Sequence, residues 1–203
     1  MFFHPPYLSY SIKQFNAIAE PELSRDYHRK HLEVLAAFGV GPLGSTLSPW
    51  YNQPAVTVFA VYDEFDEMLA GIRLERLEQQ PYELPLSHAI CVDSPDLLPK
   101  IGRHKGQLAE ICGAWVATTA RKCGLLQHLI GLCIDQGKKM QLDYLLAMPP
   151  EHTKGIFTEY GFSPVPNAFG RSEYCYPDDR YKSTLMELDL SLQLAQASPA
   201  TCS

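Results

Sequence analysis

The stretch Ala109-Glu110-Ile111-Cys112-Gly113-Ala114-Trp115-Val116-Ala117-Thr118-Thr119-Ala120-Arg121-Lys122-Cys123-Gly124 runs from apolar to polar and ends on a glycine that opens a helix-spaced segment. Gln107 to Ala117 reads as a strand and Thr118 to Cys123 as a loop. Gly124 to Lys138 reads as a helix with Leu125, Leu129, Leu132 and Cys133 on one face. Leu142 to Met148 is a second buried strand. A β–loop–α–β unit of this kind implies a parallel strand pair with a right-handed crossover. At the helix start the first backbone N–H groups lack intrahelical partners and the positive end of the helix dipole lies behind them, which suits a phosphate or pyrophosphate. Arg121 and Lys122 add full charges, and Gly124 permits close backbone approach because no Cβ intervenes.

Outward from this block, Tyr7 to Ile18 alternates loosely, as a strand would. Pro21-Glu22 opens a helix in which Leu23, Tyr27, Leu32, Leu35 and Phe38 recur, and Gly39 ends it. Gly41 to Pro54 reads as a loop. Val56 to Tyr62 and Met68 to Leu77 form a β-hairpin across an acidic turn at Asp63 to Glu67, the first strand central and the second more exposed. Prolines at 81, 85, 95 and 99 break residues 78 to 106 into an ordered insertion with one short helix near Pro95 to Ile101. On the C-terminal side, Glu151 to Tyr160 is a short helix capped by Gly161, Phe162 to Val165 starts a strand, and Ser183 to Leu190 closes the sheet. The expected organisation is one domain over 1–192 with a frayed tail at 193–203.

The block from Leu108 to Val165 resembles the GNAT N-acyltransferase superfamily. Its loop reads Arg121-Lys122-Cys123-Gly124-Leu125-Leu126 where the superfamily has Arg/Gln-x-x-Gly-x-Gly/Ala, so the first two fixed positions match and Leu126 replaces a small residue. Phe157-Thr158-Glu159-Tyr160-Gly161-Phe162 is similar to the superfamily's helix ending before a Gly-Phe pair. The resemblance implies an α/β (α+β) fold: a mixed, mostly antiparallel sheet flanked by helices, with a central parallel pair that splays around an acyl-CoA thioester. It implies acetyl-CoA or another acyl-CoA as co-substrate, held by the backbone at Ala114 and Val116 and by Arg121, Lys122, Cys123, Gly124, Leu125 and Leu126. It further implies transfer to a small-molecule or peptide amine. The same resemblance leaves open an N-acyl amino-acid or autoinducer synthase using a long chain on an acyl carrier protein, and a non-catalytic acyl-CoA-binding module. A homodimer is compatible with each.

Two side chains are candidates for the chemistry. Glu110 sits on the strand among apolar or small neighbours, where partial desolvation would suit a general base; its alternative is an ion-paired structural carboxylate. The tyrosine that often protonates the leaving thiolate in the superfamily is replaced here by Phe157. Tyr160 stands one turn on and Tyr144 on the adjacent strand, and either could substitute; a tyrosine packed in the core is the alternative. His28 and His31 are three apart on the first helix and read as a solvated face. Cys123 at a helix start could have a lowered thiol pKa, but a nucleophile lacks a neighbouring histidine in the sequence. Arg103, His104 and Lys105 form a small basic patch.

Bulk properties bound these readings. The 203 residues carry 17 Lys plus Arg against 23 Asp plus Glu, a net charge of −6, which disfavours a general nucleic-acid binder. With 46% hydrophobic and 20% charged residues the composition is that of a globular chain. No run approaches the roughly 20 apolar residues of a membrane span, and Met1-Phe2-Phe3-His4-Pro5-Pro6 lacks signal-peptide features. A soluble, cytoplasmic protein is expected. Six cysteines without a C-x-x-C pair are expected as free thiols, with no metal site.

Overall fold

A computed structural model of the chain describes residues 9–41, 49–176 and 179–191. The expected tail at 193–203, Cys202 and the start of the Tyr7–Ile18 strand lie outside the described residues. The chain folds as two compact units. One holds the described residues up to Glu75 together with Ile111–Cys133; the other holds Arg76–Glu110 together with the described residues from Ile134 onward. Strand β4 (Leu108–Val116) and helix α4 (Leu125–Lys139) each run from one unit into the other.

In the first unit, β1 (Ser11–Asn16) pairs antiparallel with β2 (Val56–Tyr62), and β2 with β3 (Met68–Arg76). The hairpin turn is held by Asp63, whose Oδ1 accepts from Phe65 N and Glu67 N at 2.9 Å each, as turn aspartates do. Helix α1 (Pro21–Ala37) begins with a proline, whose missing N–H is not needed there. It ends at Gly39, which takes φ 70°. Its buried residues are Ser24, Tyr27 and His31, spaced to share one face. Tyr27 packs in one core cluster with Phe15, Trp50, Val56, Val58, Ala60, Tyr62, Met68 and Trp115. Two expectations are corrected here. β3 is buried on both faces from Met68 to Glu75 rather than more exposed than β2. His31 is buried rather than solvated, because α1 turns it toward Tyr27.

In the second unit the insertion is built around its own apolar residues. After a short 3₁₀ turn at Pro81–Glu83 come α2 (Ser87–Ile90) and α3 (Leu97–Gly102). Leu84, Leu86, Ile90, Leu97, Leu98 and Ile101 bury against Leu77, Leu108, Leu146, Tyr174 and Leu185. The prolines limit helix length without preventing packing, so the segment is core as much as connection. Ser94 Oγ accepts from Asn167 Nδ2 (2.7 Å) and from the Tyr174 hydroxyl (2.9 Å), which ties the insertion to the chain at Asn167 and Tyr174.

The main sheet has the strand order β1-β2-β3-β4-β5-β9-β6, with β5 at Tyr144–Ala147, β6 at Ser163–Pro164 and β9 at Met186–Asp189. Neighbouring β4 and β5, joined through α4, form the parallel pair in an otherwise mostly antiparallel sheet. Helix α5 (Glu151–Glu159) leads to Gly161 at φ 90°. The closing strand expected over Ser183–Leu190 divides at Leu185. β8 (Lys182–Thr184) pairs with β7 (Glu173–Cys175) in a separate two-stranded sheet, while β9 joins the main one. The main chain of Leu185 makes the change of partner: its N–H donates to Ser172 O and its carbonyl accepts from Val165 N.

Among the described residues no helix is long and apolar enough to cross a membrane. Cys91, Cys112, Cys123, Cys133 and Cys175 are free thiols.

A core role for the insertion sets a measurable cost. Leu86→Ala is expected to destabilise the protein by about 2–5 kcal/mol, read as a lower urea midpoint at unchanged slope. A loss below about 0.5 kcal/mol is what a surface substitution gives, and would remove Leu86 from the core.

Candidate functional site

β4 does not run straight. Gly113 takes φ 58°, a left-handed conformation within the strand that L side chains disfavour. The burial pattern records the kink: Leu108 to Cys112 are buried without a break, Gly113 is half-buried, Ala114 exposed, Trp115 buried and Val116 half-buried. Ala114 and Val116 therefore share the more open side, and Glu110 does not share their exposure. Ala117 N donates to Leu69 O, so β4 stays paired with β3 up to its end.

Past Ala117 the chain makes one 3₁₀ turn at Thr118–Ala120 and then reverses into α4. Lys122 (φ 65°) and Gly124 (φ 73°) are both left-handed. Alternation of this kind turns successive backbone N–H groups toward one concavity, an anion-binding arrangement. A Cβ at Gly124 would meet nothing within 4 Å, so space lies open against the backbone at the start of α4. His128 N donates to Gly124 O at 3.1 Å and begins the intrahelical ladder; by helix geometry the N–H groups just before it face outward along the axis. Arg121 and Lys122 are exposed, Leu125 is buried and Leu126 half-buried. The Arg121 guanidinium lies 4.6 Å from the Phe38 ring centroid, an attraction that orients the cation without neutralising it. Cys123 Sγ contacts Arg121 O at 3.6 Å. The residues expected to hold a pyrophosphate thus come together in the first unit.

Glu110 and Tyr160 belong to the second unit. Glu110 is 2% exposed, and its Oε2 accepts a hydrogen bond from Leu86 N at 2.9 Å. The carboxylate therefore anchors the insertion, a partner that spacing within β4 did not indicate. Tyr160 is half-buried at the end of α5, where its N–H donates to Phe157 O. Phe157 is buried and packs edge-to-face on Phe162, with centroids 5.3 Å apart. Tyr144 is half-buried on β5, 4.5 Å from the His104 ring by centroids.

The structure adds a group that sequence reading passed over. Beneath the β4 kink, Arg73 is 2% exposed, with Nη2 at 3.1 Å from Glu75 Oε1, itself 3% exposed. Arg73 also lies 4.2 Å from the Trp50 ring centroid. Cys112 Sγ donates to Glu75 Oε1 at 3.2 Å. Tyr27 packs edge-to-face on His31, Trp50 and Trp115, and its hydroxyl donates to Gly113 O. Arg73 and Glu75 stand two apart on β3, the spacing of one strand face. Two charges at that spacing resemble the polar side of an exposed strand, and only the tertiary packing shows otherwise. Burial holds the Tyr27 hydroxyl well above its ordinary pKa, with Arg73 opposing. Burial, then the Arg73 and His28 charges, push His31 down to about 3. His28 is lowered by burial and then Arg73.

No family model matches the sequence, and no curated protein matches it. Solved structures match its fold. FeeM, an N-acyl amino acid synthase from uncultured soil microbes, is 14% identical with a TM-score of 0.70, over 94% of this chain and 95% of that one. An acyl-CoA N-acyltransferase from Pseudomonas aeruginosa is 16% identical with a TM-score of 0.63, over 88% and 99%. BjaI, a CoA-dependent acyl-homoserine lactone synthase, is 14% identical with a TM-score of 0.63, over 93% and 87%. The chain has the fold of the GNAT N-acyltransferases.

His31 generates a pH prediction. Its folded pKa lies below the unfolded value, so the unfolded state binds the extra proton between about pH 6.5 and 3. The neutral histidine's contribution is complete above pH 6.5 and falls as pH drops through that window, by up to about 1.4 kcal/mol per pH unit. Urea melts from pH 7 to 4 are expected to show a steeper loss for the parent than for His31→Phe. Parallel losses would place the acid sensitivity elsewhere.

Proposed function

We propose that this chain is a cytoplasmic N-acyltransferase that takes an acyl group from acyl-CoA and passes it to an amine. The observation that carries this reading is the loop from Arg121 to Leu126, with its two left-handed residues, its open space at Gly124 and its exposed cations at the start of α4. A pyrophosphate needs backbone N–H donors, positive charge and room for close approach. On this reading Ala114 and Val116, on the open side of β4 beyond the kink, line the pantetheine and thioester. Their backbone groups polarise the thioester carbonyl, as preformed donors do where charge develops. The neutral amine attacks that carbon, a C–N bond forms, the C–S bond breaks and coenzyme A leaves as thiolate. The amine's proton goes to a base, for which Glu110 is the candidate, and the thiolate takes a proton from Tyr160 or water.

The second reading keeps the chemistry and changes the class of enzyme to an N-acyl amino acid synthase, the class FeeM's name gives, here with a long acyl chain on an acyl carrier protein as the donor. The share of this chain matched there, 94%, is too large to leave out the insertion at 78–106. Thermal-shift titration with acetyl-CoA, octanoyl-CoA and an octanoyl acyl carrier protein separates the two. Stabilisation follows ligand concentration over affinity, so the donor giving the largest shift at equal concentration is the preferred one. No shift with any of them would overturn both readings.

Two variants test the residues. In Gly124→Val the added side chain enters the open space before α4, and the affinity for acyl-CoA should fall by about tenfold or more, roughly the 1.4 kcal/mol of one lost hydrogen bond. Calorimetric binding equal to the parent's would remove the loop from the site. Glu110→Gln keeps an oxygen to accept from Leu86 N, so the fold should persist, whereas turnover should fall by about 10²–10⁴-fold if Glu110 is the base. Parental turnover with a parental melt would leave Glu110 the anchoring role alone.

A further inference from the structure

The Tyr27 hydroxyl on α1 donates to Gly113 O, the carbonyl of the residue that kinks β4. We infer that Tyr27 is a positioning residue for the thioester: by holding Gly113 O it fixes the direction in which the backbone of Ala114 to Val116 presents its groups to the acyl carbonyl. The inference rests on the acyl-CoA reading above.

Three observations put Tyr27 in this role rather than in general packing. Its ring occupies space that exists only because residue 71 is glycine: a Cβ there would stand 2.3 Å from Tyr27 Cε2. The ring is further fixed by edge-to-face contacts with Trp50 and Trp115, at centroid distances of 5.4 and 5.9 Å. Across the kink, Arg73 closes the other side: a Cβ at Gly113 would stand 2.7 Å from Arg73 Nε. Arg73 is in turn oriented by Glu75. Gly113 is therefore held by its carbonyl from α1 and by its Cα from β3. The peptide that follows it begins the open side of β4, where Ala114 is exposed. A peptide plane is rigid, so fixing the Gly113 carbonyl also fixes the Ala114 N–H on the same plane. Catalytic donors must be aimed before the substrate arrives, and a displacement of about 1 Å can cost 10²-fold. Burial keeps the Tyr27 hydroxyl protonated, so it remains a donor throughout the neutral and alkaline range in which an amine acceptor is free to attack.

The test uses the full chain and needs no acceptor. [1-13C]Acetyl-CoA and [1-13C]octanoyl-CoA are bound to the parent and to Tyr27→Phe, which keeps the ring and removes only the hydroxyl. Infrared spectra report the thioester carbonyl, and calorimetry compares each acyl-CoA with coenzyme A. In the parent the carbonyl band is expected to move to lower frequency on binding. In Tyr27→Phe it should return toward the free-solution position, with the preference for acyl-CoA over coenzyme A reduced about tenfold and coenzyme A affinity within twofold of the parent's. A loss of packing alone would weaken both ligands together and leave the band of the bound fraction in place. An unchanged band with unchanged affinities overturns the positioning role while the acyl-CoA reading stands. Failure of the parent to bind either probe overturns that reading and this role with it. Should Tyr27→Phe melt below the assay temperature, 3-fluorotyrosine placed at position 27 keeps the hydroxyl and alters its donor strength; the bound carbonyl band must then shift from the parent's position, and an unshifted band overturns the inference.

Discussion

The Gly113 kink in β4 is the constraint on which the first unit's architecture converges. A strand buried on both faces would ordinarily continue its pleat and bury every residue to its end. Here the unbroken burial stops at the left-handed residue: Cys112 and Trp115 are buried while Ala114 between them is exposed. The arrangement needs glycine at 113, a guanidinium where a Cβ would otherwise lie, a donor for the rotated carbonyl and glycine at 71 to admit that donor's ring. The requirements fall on three elements: the donor on α1, the guanidinium and Gly71 on β3, and Gly113 on β4.

The Arg73–Glu75 pair beneath the kink illustrates how burial and charge are reconciled. Removing two ions from water costs several kcal/mol each unless geometry and further hydrogen bonds compensate. Glu75 takes the guanidinium and the Cys112 thiol, and Arg73 adds the face of Trp50. A buried cation also acts on its surroundings: it favours neutral His28 and His31, and it opposes the rise that burial imposes on Tyr27. The first helix therefore presents uncharged polar groups to a charged strand, which avoids repulsion between buried cations.

Much of the fold was legible because its signals are local. Pro21 and Gly39 bracket α1, Asp63 to Glu67 turns the hairpin, and Gly124 and Gly161 stand at the ends of regular elements. The candidate loop was legible for the same reason: helix-start geometry needs only a few consecutive residues. What escaped were features made by distant partners. His31 looks polar on a helix wheel, Arg73 and Glu75 look like an exposed strand edge, and the Leu86 N–H that Glu110 accepts from lies 24 residues earlier in the chain. The split of the closing strand at Leu185 depends on a second sheet, and the short β7 that forms it has no alternation long enough to read.

The way the two units share the chain bears on how the protein can be altered or shortened. The boundary is crossed after Glu75, after Glu110 and after Cys133, so neither unit is one continuous stretch, and β4 and α4 are each divided between them. Truncation at either end cannot excise one unit intact: stopping the chain at Cys133 would leave α4 cut in mid-course, and starting it at Arg76 would carry β4 without the hairpin that flanks it. Such interleaving makes formation of each core wait on segments far apart in sequence, and chains rich in long-range contacts fold slowly. Partial fragments would expose unpaired strand edges of the kind that aggregate, so a shortened form is more safely sought by trimming loops than by removing a half.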